Sequence, residues 1–280
     1  MMRMMMILAL AGLAACSGDT QQEPNMDVPE HPQEDKSAGI MGLTEVVVKK
    51  VKVAPADANH ASWKEAKATK LTLSAQVVVP PTGGTGTEAQ VKAVHDGEWL
   101  SIRLSWADKT PDRAVGVDTF RDAAAVGFPM NDQPTSPFMG DEKNPVAIWQ
   151  WSANHQANND GQSEFAKMYP RVDGVWYADH DASASVRVHR WRGVEPVEHF
   201  VAHGFGTLTP TPDDTLTGNG IWFEGKWAVV FKRKLASSAD PIFGAGKGSQ
   251  MIVAVWDGGS NEVNGRKSVT MAWLPIEFEG

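Results

Sequence analysis

The stretch Glu98-Trp-Leu-Ser-Ile-Arg-Leu-Ser-Trp106 indicates most directly which fold the chain adopts. Trp99 lies on one face of this stretch, and the opposite face carries four large apolar side chains, Leu100, Ile102, Leu104 and Trp106. A period of two residues is typical of a strand that buries one face. Asp96-Gly97, directly before it, is a tight-turn signal. The stretch therefore predicts a half-buried β-strand that follows a tight turn.

The same strand pattern recurs along the rest of the chain. Similar segments predict strands at residues 45–53, 71–79, 147–151, 185–190, 220–223, 227–232, 250–256 and 268–278. Helical patterns are few, with short helical turns predicted at 63–70 and 163–168. Frequent short strands separated by turn residues are typical of sandwiches. The predicted fold class is all-β, an antiparallel β-sandwich with few short helices.

The first 15 residues have the features of a bacterial lipoprotein signal peptide. Arg3 gives a positive start, residues 4–13 form an apolar run too short for a permanent membrane span, and Leu13-Ala-Ala-Cys16 is a lipobox. We therefore expect Cys16 to be acylated and to become the first residue of the mature chain. Ser17 stands where an inner-membrane retention signal usually places Asp. The expected anchor is thus in the outer membrane, facing the periplasm.

Composition predicts the domain organisation and excludes several classes of function. Residues 16–41 contain hardly any large apolar group and predict a flexible tether that starts at the lipidated cysteine, which leaves 42–280 as one sandwich domain. The formal net charge of −8 argues against nucleic acid as a partner. Cys16 is the only cysteine of the chain, which excludes structural disulfides and cysteine-ligated metal clusters.

Met139 lies in a Pro/Gly-framed loop, Pro137-Phe-Met-Gly-Asp141, between two half-buried strands predicted within residues 118–151. A thioether held on a rigid loop is a soft ligand, which suits an iron porphyrin and is of little use to hard cations. Alternatively, Met139 fills a gap beneath the loop, as methionine often does. Taken by themselves, these residues favour the gap-filling interpretation.

Four stretches of the chain, taken together and in order, change that balance. They are Phe138–Asp141 with Val146–Trp151, Ala202–Thr209, Gly225–Leu235, and Ala254–Gly258 followed by Gly265–Ser268. In this order they resemble the haem-binding γ subunits of the ethylbenzene dehydrogenase and dimethylsulfide dehydrogenase family. These subunits accompany molybdenum enzymes of the type II dimethyl sulfoxide reductase family. The resemblance covers roughly residues 42–280.

The resemblance implies two axial ligands to a haem iron, a methionine and a lysine. The methionine corresponds to Met139, and the lysine to Lys267 in the stretch Gly265-Arg-Lys-Ser268. An amine binds iron only without its proton, whereas an ordinary lysine has a pKa of ~10.4. The site must therefore desolvate the amine. Without the resemblance, Lys267 is interpreted as a solvated hairpin lysine. With the resemblance, Lys267 is the expected ligand, and Lys232, Lys234 and Lys247 are the alternatives.

Histidine is the commonest haem ligand, so its candidates were weighed as well. His199 and His203 are four residues apart, as zinc ligands on a helix are, but glycines follow at once and no Glu lies between them. We interpret them as a surface or loop pair. His155 is a further candidate for contact with a haem edge or propionate. The favoured interpretation of Arg121 and Asp122 is that they pair with neighbouring residues at the start of a strand. Alternatively, Arg121 reaches a haem propionate.

The implied function is one-electron transfer by a lipid-anchored periplasmic cytochrome that is not itself a catalytic chain. The haem is expected to be a non-covalent b-type group, since the chain has no Cys-x-x-Cys-His. Expected partners are the iron–sulfur and molybdenum subunits of a periplasmic oxidoreductase, or a soluble periplasmic electron carrier. The alternative is a carbohydrate-binding lipoprotein, because residues 96–108 also resemble the strand pair of such modules. Met139 together with Lys267 separates the two, since a sugar binder has no use for them.

Replacing Cys16 by Ser tests the expected anchor. No other predicted segment is long and apolar enough to insert into a membrane, so the Cys16→Ser variant is expected to be folded and soluble in the periplasm. Cell fractionation followed by a salt wash measures this. Retention of the washed variant in the membrane fraction contradicts the assignment.

Overall fold

The structure is a computed structural model that describes residues 44–131, 136–162, 196–236 and 249–280. All of them belong to the compact unit Gly42–Gly280. The predicted signal peptide, Cys16, the whole tether, the strand at 185–190 and the helical turn at 163–168 lie outside the described residues.

Most of the described residues that have regular structure lie in thirteen strands. The strands are β1 Val46–Lys50, β2 Thr69–Ala75, β3 Thr87–His95, β4 Trp99–Ala107, β5 Ala123–Pro129, β6 Val146–Ser152, β7 Val197–Ala202, β8 Thr209–Pro210, β9 Thr217–Phe223, β10 Lys226–Lys234, β11 Ser249–Trp256, β12 Ser268–Val269 and β13 Leu274–Phe278. One α-helix, α1, spans Ala153–Asn159, and 3-10 turns span Ala61–Lys64 and Gly258–Ser260.

The strands form two sheets that share β2 and β11. In the first sheet β2, β3, β4, β10 and β9 are neighbours, and in the second sheet β8, β7, β6, β5, β11 and β12 are neighbours. β11 passes between the sheets, because its first three residues pair with β13 and the remainder pairs with β5. β2 likewise pairs with β3 and then with β12. The two sheets therefore fold over one another as a sandwich.

Tryptophans from both sheets meet in the interior of this sandwich. The ring centroids of Trp151 on β6 and Trp227 on β10 lie 4.8 Å apart, and Trp106 on β4 contacts both rings. Gly220 on β9 faces the same cluster, and a Cβ atom there would lie 2.4 Å from Trp151. The buried Gln156 of α1 accepts hydrogen bonds from the Trp151 indole and from the Gly220 amide. Close packing of this kind leaves no room for a larger residue at position 220.

The all-β, largely antiparallel fold predicted from the sequence is confirmed. The short strand β1 differs, since it pairs in parallel with both β13 and β3. The helical turn expected at 63–70 is wrong in its extent, because the 3-10 turn ends at Lys64 and alternating burial in β2 already begins at Thr69. The single strand expected at 268–278 is two strands, because β12 pairs in the second sheet and β13 in the first.

Arg233 and Asp213 form a buried ion pair at one end of β10. The Arg233 Nε donates to Asp213 Oδ2 at 2.6 Å, and the two side chains are 0% and 2% exposed. Burial alone would raise the pKa of Asp213, but hydrogen bonds from Thr215 and the charge of Arg233 lower it below its ordinary value of 3.8. The folded protein therefore favours the ionised carboxylate.

Replacing Asp213 by Asn keeps the side-chain shape and removes the charge that faces Arg233. Loss of a buried partner is expected to lower the free energy of unfolding at pH 7 by about 3 kcal/mol. The pKa of Asp213 is lower in the folded protein than in the unfolded protein. The ionised carboxylate therefore contributes its full stability above the unfolded pKa, and this stability is lost as the pH falls through the folded pKa. The difference in stability between the wild type and the variant should thus begin to shrink below about pH 4, near the unfolded pKa, and should vanish only below the lower folded pKa.

Urea unfolding at pH 7 and at pH 3 measures the difference. Asp214→Asn is the matched control, because Asp214 is the exposed neighbour and loses the same charge. Equal stability of the two variants at pH 7 would contradict a structural role for the ion pair.

Candidate functional site

A cavity of about 540 Å³ lies on the outer face of the second sheet. Ala125 on β5, Ile148 on β6 and Ala254 on β11 line it, whereas their chain neighbours Val126 and Val253 belong to the core between the sheets. Side chains of a strand alternate between its two faces. The same three strands therefore provide one wall of the sandwich core and the floor of the cavity.

Small residues make this floor flat. Ala123, Ala125 and Gly127, at alternate positions of β5, all line the cavity. A Cβ atom at Gly127 would lie 2.8 Å from the side chain of Ile252 on β11, so the close approach of these two strands requires glycine. The Ala-Ala-Ala-Val-Gly sequence of β5 is thus suited to a broad, planar and apolar group.

Met139 lines the cavity from the loop that joins β5 to β6. Its φ angle is 62°, in the left-handed region that residues other than glycine rarely adopt. Gly140 also has a φ of 62°, and a Cβ atom there would lie 2.3 Å from the Asn144 carbonyl oxygen. The Gly204 amide donates to the Met139 carbonyl at 2.8 Å. A strained residue held by its surroundings is a frequent feature of functional sites.

Lys267 lines the same cavity from the segment between β11 and β12. Its amide donates to the Gly83 carbonyl at 3.0 Å, and its carbonyl accepts from the Gln76 amide at 3.0 Å. Gly84 approaches this backbone so closely that a Cβ atom would lie 2.2 Å from the Lys267 carbonyl oxygen. The main chain of Lys267 is therefore held in place from both sides.

The Lys267 amine lies in apolar surroundings. Its Nζ atom is 5.0 Å from the centroid of the Trp256 ring, and no carboxylate of the described residues lies within ion-pair distance. Burial lowers the pKa of Lys267 from 10.5 to about 8. With this lowered pKa the amine gives up its proton to a metal ion more readily than an ordinary surface lysine does.

Arg121 and Asp122 point to opposite faces at the start of β5. Asp122 is fully buried and accepts hydrogen bonds from the Asp112 amide, the Gly258 amide and the Trp227 indole. Arg121 instead lines the cavity, and its buried Nε has no hydrogen-bond partner among the described residues. Burial lowers the pKa of Arg121, and the charge of Glu198 partly offsets this. The structural interpretation thus fits Asp122, whereas Arg121 presents a cation to the cavity.

Exposed apolar side chains surround the entrance of the cavity. Val115, Phe205 and Leu208 line it and are 60%, 52% and 41% exposed. Polar groups are fewer, and Gln76, Gln150 and Glu262 are among them. Apolar walls with a small number of placed polar groups are typical of cofactor sites.

The histidine candidates do not line the cavity. His199 is buried on β7, where its Nδ1 lies 2.7 Å from the Thr211 carbonyl oxygen, so the expectation of a surface or loop position is wrong for it. His203 is exposed in the following loop. The Nδ1 of His155, on α1, lies 3.5 Å from Glu198. In an extended chain, residues four apart are separated along the strand direction. His199 and His203 therefore do not converge as they would on one face of a helix.

The other lysine candidates lie elsewhere. Lys232 and Lys234 are on β10 of the first sheet, with Nζ atoms 4.8 and 5.3 Å from the Trp99 ring centroid. Lys247 lies outside the described residues. Among the lysines that the structure describes, Lys267 is the one that lines the cavity with Met139.

Sequence reasoning did not predict Gln150, Trp256 or the alanines of β5 as residues of the site. Their signal was present, because each occupies the outer position in a strand whose inner positions are strongly apolar. This signal was not recognised, because small or polar residues also occupy such positions on strands whose outer face meets solvent.

Among the described residues, no helix has the length and apolar character needed to cross a membrane.

Comparison with known proteins shows which proteins this chain resembles. The family model for ethylbenzene dehydrogenase matches residues 60–194. The chain is 28% identical to the chlorate reductase subunit gamma of Ideonella dechloratans, over 99% of this chain and 98% of that protein. It is 29% identical to a putative respiratory nitrate reductase heme subunit of Haloferax mediterranei, over 80% and 68% of the two chains.

Two further similarities were found. The dimethylsulfide dehydrogenase subunit gamma of Rhodovulum sulfidophilum is 28% identical over 66% of this chain and 58% of its own length. Among solved structures, a family 9 carbohydrate binding module of Caldicellulosiruptor kristjanssonii in complex with glucose is similar with a TM-score of 0.45 and 11% identity, over 84% and 96% of the two chains. The family match and the three relatives confirm the resemblance that the motifs predicted: the chain is similar to γ and heme subunits of this group, and residues 60–194 match the ethylbenzene dehydrogenase family model.

Proposed function

We propose that this protein is a b-type cytochrome that transfers single electrons, with Met139 and Lys267 as the axial ligands of its haem. The observation that carries the proposal is that a thioether and a desolvated amine line one flat, apolar cavity. A methionine sulfur and a neutral nitrogen are both ligands of haem iron. Of the three relatives, one is named a heme subunit, which supports the same assignment.

The residues of the cavity fit a porphyrin. Its volume of about 540 Å³ lies within the range of roughly 300–1,000 Å³ that is usual for cofactor sites. The small side chains of Ala125 and Gly127 leave a flat floor, and Arg121 supplies a cation for a propionate. The chain has one cysteine, Cys16, so the haem is held by packing and ligation rather than by thioether bonds.

Each residue of the site has a defined part in this function. The haem supplies the one-electron redox chemistry when it is bound. Met139, fixed by the Gly204 hydrogen bond, presents its sulfur on one side, and a thioether favours the reduced state. Lys267 presents an amine whose proton is already easily lost. The apolar floor excludes water, so no exogenous ligand competes for either position.

The partners follow from the relatives and from the rim of the cavity. The three relatives are named as subunits of reductases and a dehydrogenase, which supports an exchange of electrons with iron–sulfur and molybdenum subunits of an oxidoreductase. The exposed Val115, Phe205 and Leu208 surround the cavity entrance, where a protein partner can approach the cofactor. We place the protein in the periplasm, anchored by lipid at Cys16, on the strength of the lipobox.

The carbohydrate-binding alternative lacks a supporting observation in the described part of the chain. Sugar-binding sandwiches use exposed aromatic platforms, whereas the exposed aromatic side chains of the described residues are two phenylalanines, Phe205 and Phe223, with no tryptophan among them. The described tryptophans are buried or half-buried. We therefore keep the cytochrome as the proposed function.

Replacing each ligand by alanine tests the axial pair. Met139→Ala and Lys267→Ala are each expected to convert a six-coordinate, low-spin haem into one that accepts water or carbon monoxide, because each opens one axial position. Absorption spectra of the oxidised and reduced protein, with and without carbon monoxide, measure this. Met271→Ala and Lys232→Ala are matched controls, since neither residue lines the cavity.

Two results would contradict the assignment. An unchanged low-spin spectrum in both alanine variants would show that the ligands are other residues. Rapid carbon monoxide binding by the reduced wild type would show an open coordination position, which is a property of a sensor or a catalyst rather than of an electron carrier.

Replacing Met139 by His tests the contribution of the sulfur separately. Histidine keeps an axial ligand, so haem is retained, but loss of the thioether removes the preference for the ferrous state. The midpoint potential is therefore expected to fall. Potentiometric titration of the variant and of the Met271→His control measures the shift, and an equal or higher potential in Met139→His argues against methionine ligation.

A further inference from the structure

Four aspartates gather at a second place in the fold, separate from the cavity. They are Asp108 after β4, Asp112 in the following loop, Asp122 before β5 and Asp257 after β11. One carboxylate oxygen from each lies within 4.8 Å of the corresponding oxygen of the other three. Asp108 and Asp122 are buried, with exposed fractions of 7% and 0%.

Within the described ranges these carboxylates have no cationic partner. None of them lies within 4.0 Å of a Lys, Arg or His nitrogen in the part of the chain that the structure describes. The nearby Arg113 guanidinium instead packs over the Trp227 ring, at 5.4 Å from its centroid. Buried charges in proteins are paired or coordinate a metal ion, because an isolated ion loses its hydration energy. Four carboxylates side by side need a compensating positive charge.

Asp108 supplies an independent sign of a missing ligand. Its Oδ1 accepts a hydrogen bond from the Thr110 amide at 3.1 Å, but no donor of the described residues meets its buried Oδ2 in good hydrogen-bond geometry, although the Trp106 indole N–H lies close to this carboxyl. A buried carboxylate oxygen without a donor is costly. Since this carboxylate faces those of Asp112, Asp122 and Asp257, the group that it lacks lies among the four.

Asp122 retains capacity for one more contact. Its Oδ2 accepts from the Asp112 amide at 2.7 Å and from the Trp227 indole at 2.9 Å, which uses both lone pairs. Its Oδ1 accepts only from the Gly258 amide, at 2.8 Å. One lone pair on Oδ1 is therefore available for a cation.

From this geometry we propose that Asp108, Asp112, Asp122 and Asp257 bind a divalent cation, namely Ca²⁺. The ligands are all hard oxygens, which favour Ca²⁺ and Mg²⁺ over zinc or iron. Two oxygens on opposite sides of one ion are separated by about 4.6–5.2 Å for Ca²⁺ and by about 4.2 Å for Mg²⁺. The four oxygens lie within 4.8 Å of one another, a span that one ion can fill, and a set of four protein carboxylates favours Ca²⁺ because Mg²⁺ usually keeps several waters and takes one or two carboxylates.

The bound ion has a structural role. It joins the end of β4, the start of β5 and the end of β11, which the chain brings together from three distant segments. Arg121 and Trp256, the immediate neighbours of Asp122 and Asp257, line the cavity. The cation thus stabilises the edge of the cavity floor, and this inference stands whether or not the cavity binds haem.

Calcium titration of the full chain tests the proposal. After treatment with EDTA and its removal, calorimetry is expected to show one Ca²⁺ site, with Mg²⁺ bound at least about tenfold more weakly. Saturating Ca²⁺ should raise the Tm by at least about 5 °C, since a ligand that binds only the folded state stabilises it.

Two charge-removing variants locate the site. Asp257→Asn and Asp112→Asn should each weaken Ca²⁺ binding at least about tenfold, because each removes one carboxylate charge. Asn can still cap the 3-10 turn after position 257, where Asp257 Oδ1 accepts from the Ser260 amide, so this variant is expected to fold. Asp118→Asn, an exposed aspartate in the same loop, is the control and should bind like the wild type.

Three outcomes would overturn the inference. The first is no Ca²⁺ binding at millimolar concentration, with a Tm that rises only as pH falls from 7 to 5, which would mean that protons alone occupy the cluster. The second is unchanged affinity in both Asp257→Asn and Asp112→Asn. The third is equal affinity for Mg²⁺ and Ca²⁺, which would contradict the choice of Ca²⁺ as the bound ion.

Discussion

The alternation of side chains along β5, β6 and β11 is the constraint on which the rest of the structure depends. Each strand sends one set of residues into the tryptophan-rich core and the other set to the cavity floor. Trp149 and Trp151 illustrate this, because they fill the core while Gln150 between them lines the cavity. A shift of one residue in register would exchange the two faces. The core therefore fixes the position of the floor, and the small residues of β5 make that floor flat.

Met139 and Lys267 meet at this floor because the backbone around each is held by contacts from elsewhere in the chain. Gly204 donates to Met139, and Gly83 and Gln76 hold Lys267. Holding an amine away from water is unfavourable for its charged form, and holding a methionine at positive φ adds strain. Both costs are understandable if a metal takes the two side chains as ligands.

Charge is divided between the two faces at the start of β5. Arg121 presents a cation to the cavity, and Asp122 directs its carboxylate into the cluster of four aspartates. Burial raises the pKa of Asp108 to about 6 and that of Asp122 to about 7. Carboxylates in such surroundings hold a proton unless a cation replaces it. The strand thus connects a site suited to an anionic cofactor with a site suited to a divalent cation.

The sequence by itself determined the strand-rich fold and, through the family resemblance, the two candidate ligands. Period-two patterns such as that of Glu98–Trp106 can be recognised in the sequence because each strand has one strongly apolar face. The burial of Lys267, the cavity position of Arg121 and the convergence of the aspartates were decided only by the tertiary structure. These features depend on residues far apart in the chain, and a hairpin lysine or a loop aspartate has the same local sequence whether water or protein surrounds it. Whether the residues on the second face of a strand face solvent or line a cavity becomes apparent only when the loops that cover that face are in place.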